Sequence, residues 1–263
     1  MSNWEVIILG IVQGISEFLP ISSSGHIEIA KVLMGTAAIP KESLLLTIVL
    51  HGATALSTLV VFRKDLLAII KGLFEPTYNA SWKFAVFILI STLPAAAVGL
   101  FFEEEIAALF TGNLTLVGVL LWITAGLLYF ADRSGQTTQP LTTKNAFWVG
   151  IAQCIAILPG LSRSGATIGT ALLLKIDRSE AARFSFLMVI PLIFGSMAKS
   201  ILDLKTTSLT IDFTQLGLGF VVAFITGVLA CQWMIALVKK SKLIYFSYYC
   251  VIVGLIALVY GIV

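Results

Sequence analysis

The chain has 263 residues, of which 58% are hydrophobic and only 12% charged, with a net charge of +3. Soluble domains carry roughly 25% charged residues, so this chain has too little polar surface to cover a globule in water. The small, dispersed positive charge excludes nucleic acid as a partner. Its three cysteines, Cys154, Cys231 and Cys250, lie in apolar segments without C-x-x-C spacing, which argues against a disulfide framework or a zinc site.

In chain order, the opening "MSNWEVIILG" carries Glu5 where a signal peptide has a basic region, so no cleavable signal is expected. Residues 4–19 are apolar but break at Pro20, turn through "ISSSG" and resume to about Met34. Segments 44–62, 84–102 and 114–131 follow as long, nearly charge-free runs. Each approaches or exceeds the roughly 20 residues that cross the hydrocarbon core as a helix. Residues 146–158 break again, at Pro159-Gly160, turn through "LSRSG" and resume at 166–174. Segments 184–198, 216–238 and 243–263 complete a set of six full spans. Pro94 and Pro191 are expected to kink their spans, Trp4, Trp82 and Trp148 to sit at the interfaces, and Glu103–Glu105 to form a solvated outer loop.

The broken segments are each too short to cross at about 1.5 Å per residue, and a polar turn between two half-helices makes a re-entrant hairpin. Such backbone is tolerated at membrane depth only inside protein or along a wet cavity. "GIVQGISEFLPISSSGH" (10–26) also lies over "GIAQCIAILPGLSRSGA" (150–166). Gly10/Gly150, Gln13/Gln153, Ile15/Ile155, Ser22/Ser162, Ser24/Ser164 and Gly25/Gly165 share an offset of 140. The expectation is therefore an all-α integral membrane protein with one membrane domain, 1–263, six full transmembrane helices and two re-entrant helical hairpins. The hairpins fall at about 4–35 and 146–175, within repeats 1–131 and 132–263.

Charge decides how those repeats are related. If sides alternate after the first full span, one side receives Arg63, Lys64, Lys71, Lys83, Arg133, Lys144, Lys175, Arg178, Arg183 and the Lys239, Lys240 and Lys242 cluster. The other receives only Lys31, Lys41, Lys199 and Lys205. The positive-inside bias then makes the first side cytoplasmic and both chain ends external. The hairpins enter from opposite faces as an inverted-topology repeat, a design that places a site between the repeats.

Arg163 is the strongest chemical signal. A guanidinium at membrane depth is costly, and its fork matches phosphate oxygens. Ser162, Ser164, Gly165 and Thr167 beside it, with Ser22, Ser24 and Gly25 of the first turn, are the expected substrate-binding residues, helped by helix N-terminal amides. Glu17 and Gln13, four residues apart on one helical face, are candidates for a divalent cation, with Gln13 either a neutral oxygen ligand or a support behind it. His26 suits proton transfer, and Ser23 or His26 could attack phosphorus, or His26 activate water. His51 reads as a satisfied intramembrane polar residue, and Glu28 as an interface residue on the returning half-helix.

These residues bring a family into view. "QGISEFLPISSSGH" (13–26) and "PGLSRSGATI" (159–168) resemble the two signature motifs of the undecaprenyl-diphosphatase family, the bacitracin-resistance family of integral membrane phosphatases. The resemblance runs over essentially the whole length. It implies hydrolysis of undecaprenyl diphosphate to the monophosphate carrier used in cell-envelope polysaccharide synthesis, in the bacterial inner membrane, with Mg2+ or Ca2+ as cofactor. It implies a polyprenyl diphosphate and membrane lipids as partners and leaves a homodimer open. By motif, Glu17 is the acidic metal or catalytic residue, Ser23 and His26 are competing nucleophiles, and Arg163 is the phosphate clamp. Many relatives have Glu where this chain has Gln13, so a metal site with two carboxylates is not expected here. A polyprenyl-phosphate flippase remains the alternative, because transporters share the broken-helix architecture. "SSSGH" is also similar to the P-S-G-H element of type 2 phosphatidic acid phosphatases, but "SRSGATIGTALL" lacks the downstream His of that class.

Overall fold

The computed structural model describes residues 2–35, 40–109, 112–135, 137–204, 213–240 and 242–262, without the side chains at 40–44, 103, 107, 201, 203 and 204. Lys205 of the charge reading, and the side chains of Lys41 and Glu103, lie outside this description. Regular structure among the described residues is helical apart from an isolated bridge between Gln139 and Ile176.

Helix α1 (Asn3–Phe18) opens on a capping box. Ser2 Oγ accepts from the Glu5 amide at 3.3 Å, and Glu5 returns a carboxylate to the Ser2 amide at 2.7 Å. That exchange satisfies two orphan donors at the helix start, which gives Glu5 a structural role. The helix stops because the residue before a proline is driven out of helical geometry: Leu19, ahead of Pro20, is extended. Helix α2 (Ser23–Leu33) resumes behind an Ser22 N-cap.

The second break has the same grammar. Helix α8 (Thr143–Ile155) ends before Pro159-Gly160, and α9 (Arg163–Leu173) begins behind an Ser162 N-cap. At about 1.5 Å per residue these four helices span roughly 16 to 24 Å, short of about 30 Å of hydrocarbon. The run expected to resume at 166 is the body of α9, which starts earlier, at Arg163, because the Ser162 hydroxyl accepts from the Gly165 amide.

Among the described residues five helices are long and apolar enough to cross a membrane. They are α5 (Ala80–Phe101), α7 (Leu114–Asp132), α10 (Arg178–Leu204), α11 (Phe213–Lys239) and α12 (Ile244–Ile262). Leu45–Val61 of α3 (Pro40–Val61) and α4 (Arg63–Leu73) form a pair bent by 75°, which makes six if it counts as one span. Pro94 and Pro191 both lie inside continuous helices. The Glu103–Glu105 loop expected from sequence is instead the start of a short helix, α6 (Glu103–Ala108). Acidic residues in a first turn are favoured by the positive end of the helix dipole.

Packing brings each broken helix against a span from the other half of the chain: α1 lies on α11 and α8 on α5, while α7 and α12 pack together. Small residues allow the close approach, as is usual where lipid supplies no hydrophobic drive. A Cβ on Gly14 would sit 2.7 Å from the Ala223 carbonyl oxygen, and one on Gly150 would sit 2.6 Å from the Ser91 backbone.

Gly150→Ala is expected to lower thermal stability in detergent by about 1–3 kcal/mol, the usual cost of overpacking. Gly126→Ala on α7, where the added carbon meets nothing within 4 Å, is expected to leave stability unchanged or raise it by up to about 1 kcal/mol.

Candidate active site

The two turns meet. A Cβ on Gly25 would lie 3.1 Å from the Gly160 Cα, and one on Gly165 would lie 3.3 Å from the Pro20 Cβ. Ser24 Oγ accepts from the Gly160 amide at 3.4 Å, and Ser164 Oγ donates to the Leu19 carbonyl at 3.1 Å, so each turn bonds the other. Gly160 has φ +100°, and a Cβ there would come within 2.7 Å of the Val117 carbonyl oxygen. Both the dihedral and the space demand glycine.

Within each turn the same bonds recur at the offset of 140. Ser22 Oγ accepts from Gly25 N at 3.2 Å and Ser162 Oγ from Gly165 N at 3.1 Å. The hydroxyl pairs Ser22/Ser24 and Ser162/Ser164 are both 3.3 Å apart. The backbones differ at one point: Ser22 has φ 74°, a left-handed conformation, while Ser162 has φ −73°. A non-glycine residue held there costs on the order of 1–3 kcal/mol, so the first turn is the strained one. The expected substrate-binding residues Ser22, Ser24, Gly25, Ser162, Ser164 and Gly165 therefore all satisfy turn backbone or each other. In particular, the Gly25 and Gly165 amides, which the sequence offered to an anion, are occupied by caps.

The charged centre sits across the junction. Arg163, first residue of α9, pairs through Nη2 with Oε1 of Glu17 in the last turn of α1. The Glu17 side chain is 4% exposed and that of Arg163 22%. The other carboxylate oxygen, Oε2, accepts from Ser23 Oγ at 2.7 Å and Gln13 Nε2 at 3.1 Å. Gln13 Nε2 also points at Thr54 Oγ1, 3.5 Å away on α3. Ser23 thus reaches back over the Pro20 break to the acid six residues before it. Thr167 donates to the Arg163 carbonyl at 2.9 Å and shares a hydrogen bond with Ser185 of α10.

His26 faces elsewhere. Its Nδ1 lies 2.8 Å from the Ser22 carbonyl oxygen and its Nε2 lies 2.8 Å from the Tyr249 hydroxyl of α12. His51 has its Nδ1 on the Thr47 carbonyl at 2.8 Å, in keeping with a satisfied polar residue. Glu28, expected at an interface, is instead buried. It accepts from the Gly112 amide at 3.0 Å and pairs with Lys31 at 3.6 Å, because the returning helix α2 packs against α7.

A small cavity with room for about one water adjoins the ion pair. Glu17, Arg163, Ser164, Thr167, Ser185, Thr54 and Thr58 line its polar side, and Phe18, Phe186, Val189 and Ile193 its apolar side. Sequence reasoning missed Thr54 and Thr58 of α3, Ser185 of α10, Thr124 of α7, which accepts from the Ser162 amide at 3.1 Å, and Tyr249. The only signal for the α3 pair was hydroxyls recurring on one helical face in "HGATALST". Single polar residues elsewhere in long apolar spans carried no signal.

The model of the bacitracin resistance protein BacA family matches residues 6–256. The chain belongs to that family. An undecaprenyl-diphosphatase of Christiangramia forsetii is 53% identical over 261 residues, covering 99% of both chains. One of Bacteroides fragilis is 46% identical over 98% of both, and one of Korarchaeum cryptofilum is 40% identical over 95% of this chain and 96% of its own.

In this BacA-family chain the donor set can be tested against a divalent cation. Among the described residues no three His, Cys, Asp or Glu side chains come together as a cage. Gln13 must turn its amide nitrogen to the acceptor-only Glu17 carboxylate, and its Oε1 is buried without a hydrogen-bond partner. One carboxylate with one orphaned amide oxygen suits an ion such as Mg2+ that is carried mainly by substrate phosphates. The residues fit such an ion and do not build an all-protein site.

Glu17→Gln keeps the shape and removes the counter-charge of Arg163. It is expected to cost on the order of 3 kcal/mol of stability, near the low end for breaking a buried pair, read by thermal unfolding in detergent. Ser23→Ala, which removes one charge-assisted hydrogen bond, should cost about 1.5–3 kcal/mol at most.

Proposed function

We propose that this protein is a multi-pass inner-membrane phosphatase that hydrolyses undecaprenyl diphosphate to undecaprenyl phosphate and inorganic phosphate. It would thereby return the lipid carrier to cell-envelope polysaccharide synthesis and confer bacitracin resistance. Relatives 45–53% identical over nearly their whole length carry the name undecaprenyl-diphosphatase, and the family name is that of a bacitracin resistance protein. The observation that carries the reading here is the contact of Ser23 Oγ, Glu17 and Arg163 across the two turns. A hydroxyl on a carboxylate beside a guanidinium is a nucleophile, a proton acceptor and an anion clamp in one place.

The chemistry follows from that set. Arg163 leaves Glu17 for the oxygens of the terminal phosphoryl group, a better match for its fork than a single carboxylate oxygen. Glu17, released from the guanidinium, takes the Ser23 proton as Ser23 Oγ bonds to the terminal phosphorus. The bond from that phosphorus to the bridging oxygen breaks, and the lipid monophosphate leaves with the bond's electron pair. Water then bonds to the phosphorus of the phosphoserine and gives a proton to His26 Nε2, taking the place of the Tyr249 hydroxyl there. The bond from phosphorus to Ser23 Oγ breaks as Glu17 returns its proton to that oxygen, and inorganic phosphate departs. Glu17 and Gln13 Oε1 are the groups that would hold a Mg2+ or Ca2+ ion, which when bound supplies positive charge to the phosphate oxygens. Stabilising charge on those oxygens is where most phosphoryl-transfer catalysis resides. Thr167 and Ser164 border the same cavity as Arg163 and are assigned to the phosphate, to which their hydroxyls would turn from the Arg163 and Leu19 carbonyls. Ser22, Ser24, Gly25, Ser162 and Gly165 keep the turns in register around it.

The finer architecture is part of the same proposal: six full spans, two re-entrant hairpins, and repeats over 1–131 and 132–263 related by inversion. The bonds repeated at an offset of 140 support it, as does the exchange in which α1 packs on α11 and α8 on α5. The asymmetry of Lys and Arg between the two sides supports it independently. A homodimer would be read from the mass of the solubilised particle. Transport of the lipid is disfavoured, because moving a headgroup needs no hydroxyl on a carboxylate.

Purified protein is expected to release phosphate from undecaprenyl diphosphate, and Arg163→Ala to reduce that rate by roughly 10²–10³, the usual loss for one preorganised donor. Full activity in Arg163→Ala would overturn the assignment of the clamp, and lipid movement in proteoliposomes without turnover would favour transport. For orientation, a single cysteine at Lys240 in a cysteine-free background should react with an impermeant thiol reagent only from the cytoplasmic side.

A further inference from the structure

His26 is held at both nitrogens. Its Nδ1 and its own backbone amide both approach the Ser22 carbonyl oxygen, at 2.8 and 3.1 Å. A carbonyl only accepts, so Nδ1 carries the hydrogen, and in the neutral ring Nε2 is then the bare acceptor. The Tyr249 hydroxyl, 2.8 Å from Nε2, must therefore donate to it. The two rings also stack, with centroids 5.6 Å apart and planes 13° from parallel. Tyr249 reaches this position from α12, outside both hairpins, and its neighbour Cys250 sets its thiol 3.7 Å from the Pro20 carbonyl of the first turn. Tyr245 and Tyr248 on the same helix are 64% and 56% exposed, as membrane-interface aromatics are; Tyr249 is 40% exposed and turned inward.

We propose that Tyr249 is the positioning residue of His26. Its phenol and the Ser22 carbonyl together fix the ring plane and the Nδ1–H tautomer, which leaves Nε2 unprotonated. The inference rests on His26 serving the proposed phosphatase reaction, in which the attacking water replaces the phenol at the unprotonated Nε2 and gives it a proton. A tyrosine that only anchors α12 at the lipid interface would have no such effect on the ring.

The chain has only two histidines, so full-length protein labelled with ¹⁵N-histidine gives two imidazoles, assigned with a His51→Gln variant. His51 also has its Nδ1 on a carbonyl four residues back and serves as an internal reference. Tyr249→Phe keeps the stacked ring and removes the phenol. The expected result is a shift of the His26 Nε2 resonance with His51 unmoved. Alongside it, kcat should fall roughly tenfold with KM little changed, less than the roughly 10²–10⁴ of losing the general base itself. In a His26→Ala background, Tyr249→Phe should cause no further fall, since residues acting through one another are non-additive. An unchanged His26 spectrum, or equal losses in both backgrounds, would overturn the assignment. Full phosphatase activity in His26→Ala would instead remove His26 from the reaction, and the ¹⁵N spectra would then decide the positioning on their own.

Discussion

Backbone that leaves the helix inside packed protein finds no water to bond, so each freed amide and carbonyl must be met by other protein groups. Both broken helices of this chain solve that problem with serine. Ser22 and Ser162 cap the returning helices, and Ser24 and Ser164 each cross to the other turn, to the Gly160 amide and the Leu19 carbonyl. Neither turn is complete alone, and the density of hydroxyls in "ISSSG" and "LSRSG" is first a structural necessity.

The ion pair works under the same constraint. A lone guanidinium or carboxylate buried this far would be costly, and a pair is tolerated when its remaining atoms are bonded. Glu17 meets the condition, with Arg163 on one oxygen and Ser23 and Gln13 on the other. The arrangement that makes the charge tolerable is also what sets a hydroxyl beside a carboxylate. Because Ser23 and Gln13 hold the other oxygen, Glu17 would keep partners if Arg163 were drawn to an anion. The strained Ser22 belongs to this economy: its left-handed backbone presents the carbonyl that holds both the backbone and the ring of His26.

Much of the site was legible because it is encoded locally. Proline fixes where α1 stops, serine fixes where α2 and α9 start, and a charged residue in a greasy segment announces itself by its cost. Glu17, Ser23 and Arg163 were found that way, and the structure brings them together. The residues that escaped are those whose only distinction is what they touch. Thr54, Thr124 and Ser185 are ordinary hydroxyls on long helices, where a threonine can bond its own preceding turn and pass unnoticed. Tyr249 sits in "YFSYYC", which reads as an interface belt. Glu28 read as an interface acid until α2 was packed against α7 and the Gly112 amide found it.

The sequence by itself determined the class of molecule, the positions of the helix breaks and the motifs that place it in the BacA family. Those depend on composition, on proline sterics and on capping, all of which act within a few residues. Only the tertiary structure decided which groups are free for chemistry. It set the Gly25 and Gly165 amides on their caps, Ser23 on Glu17, and His26 on Tyr249 from a helix 223 residues away. Hydrogen bonds reach about 3 Å, and which partners come within that reach depends on how the spans pack.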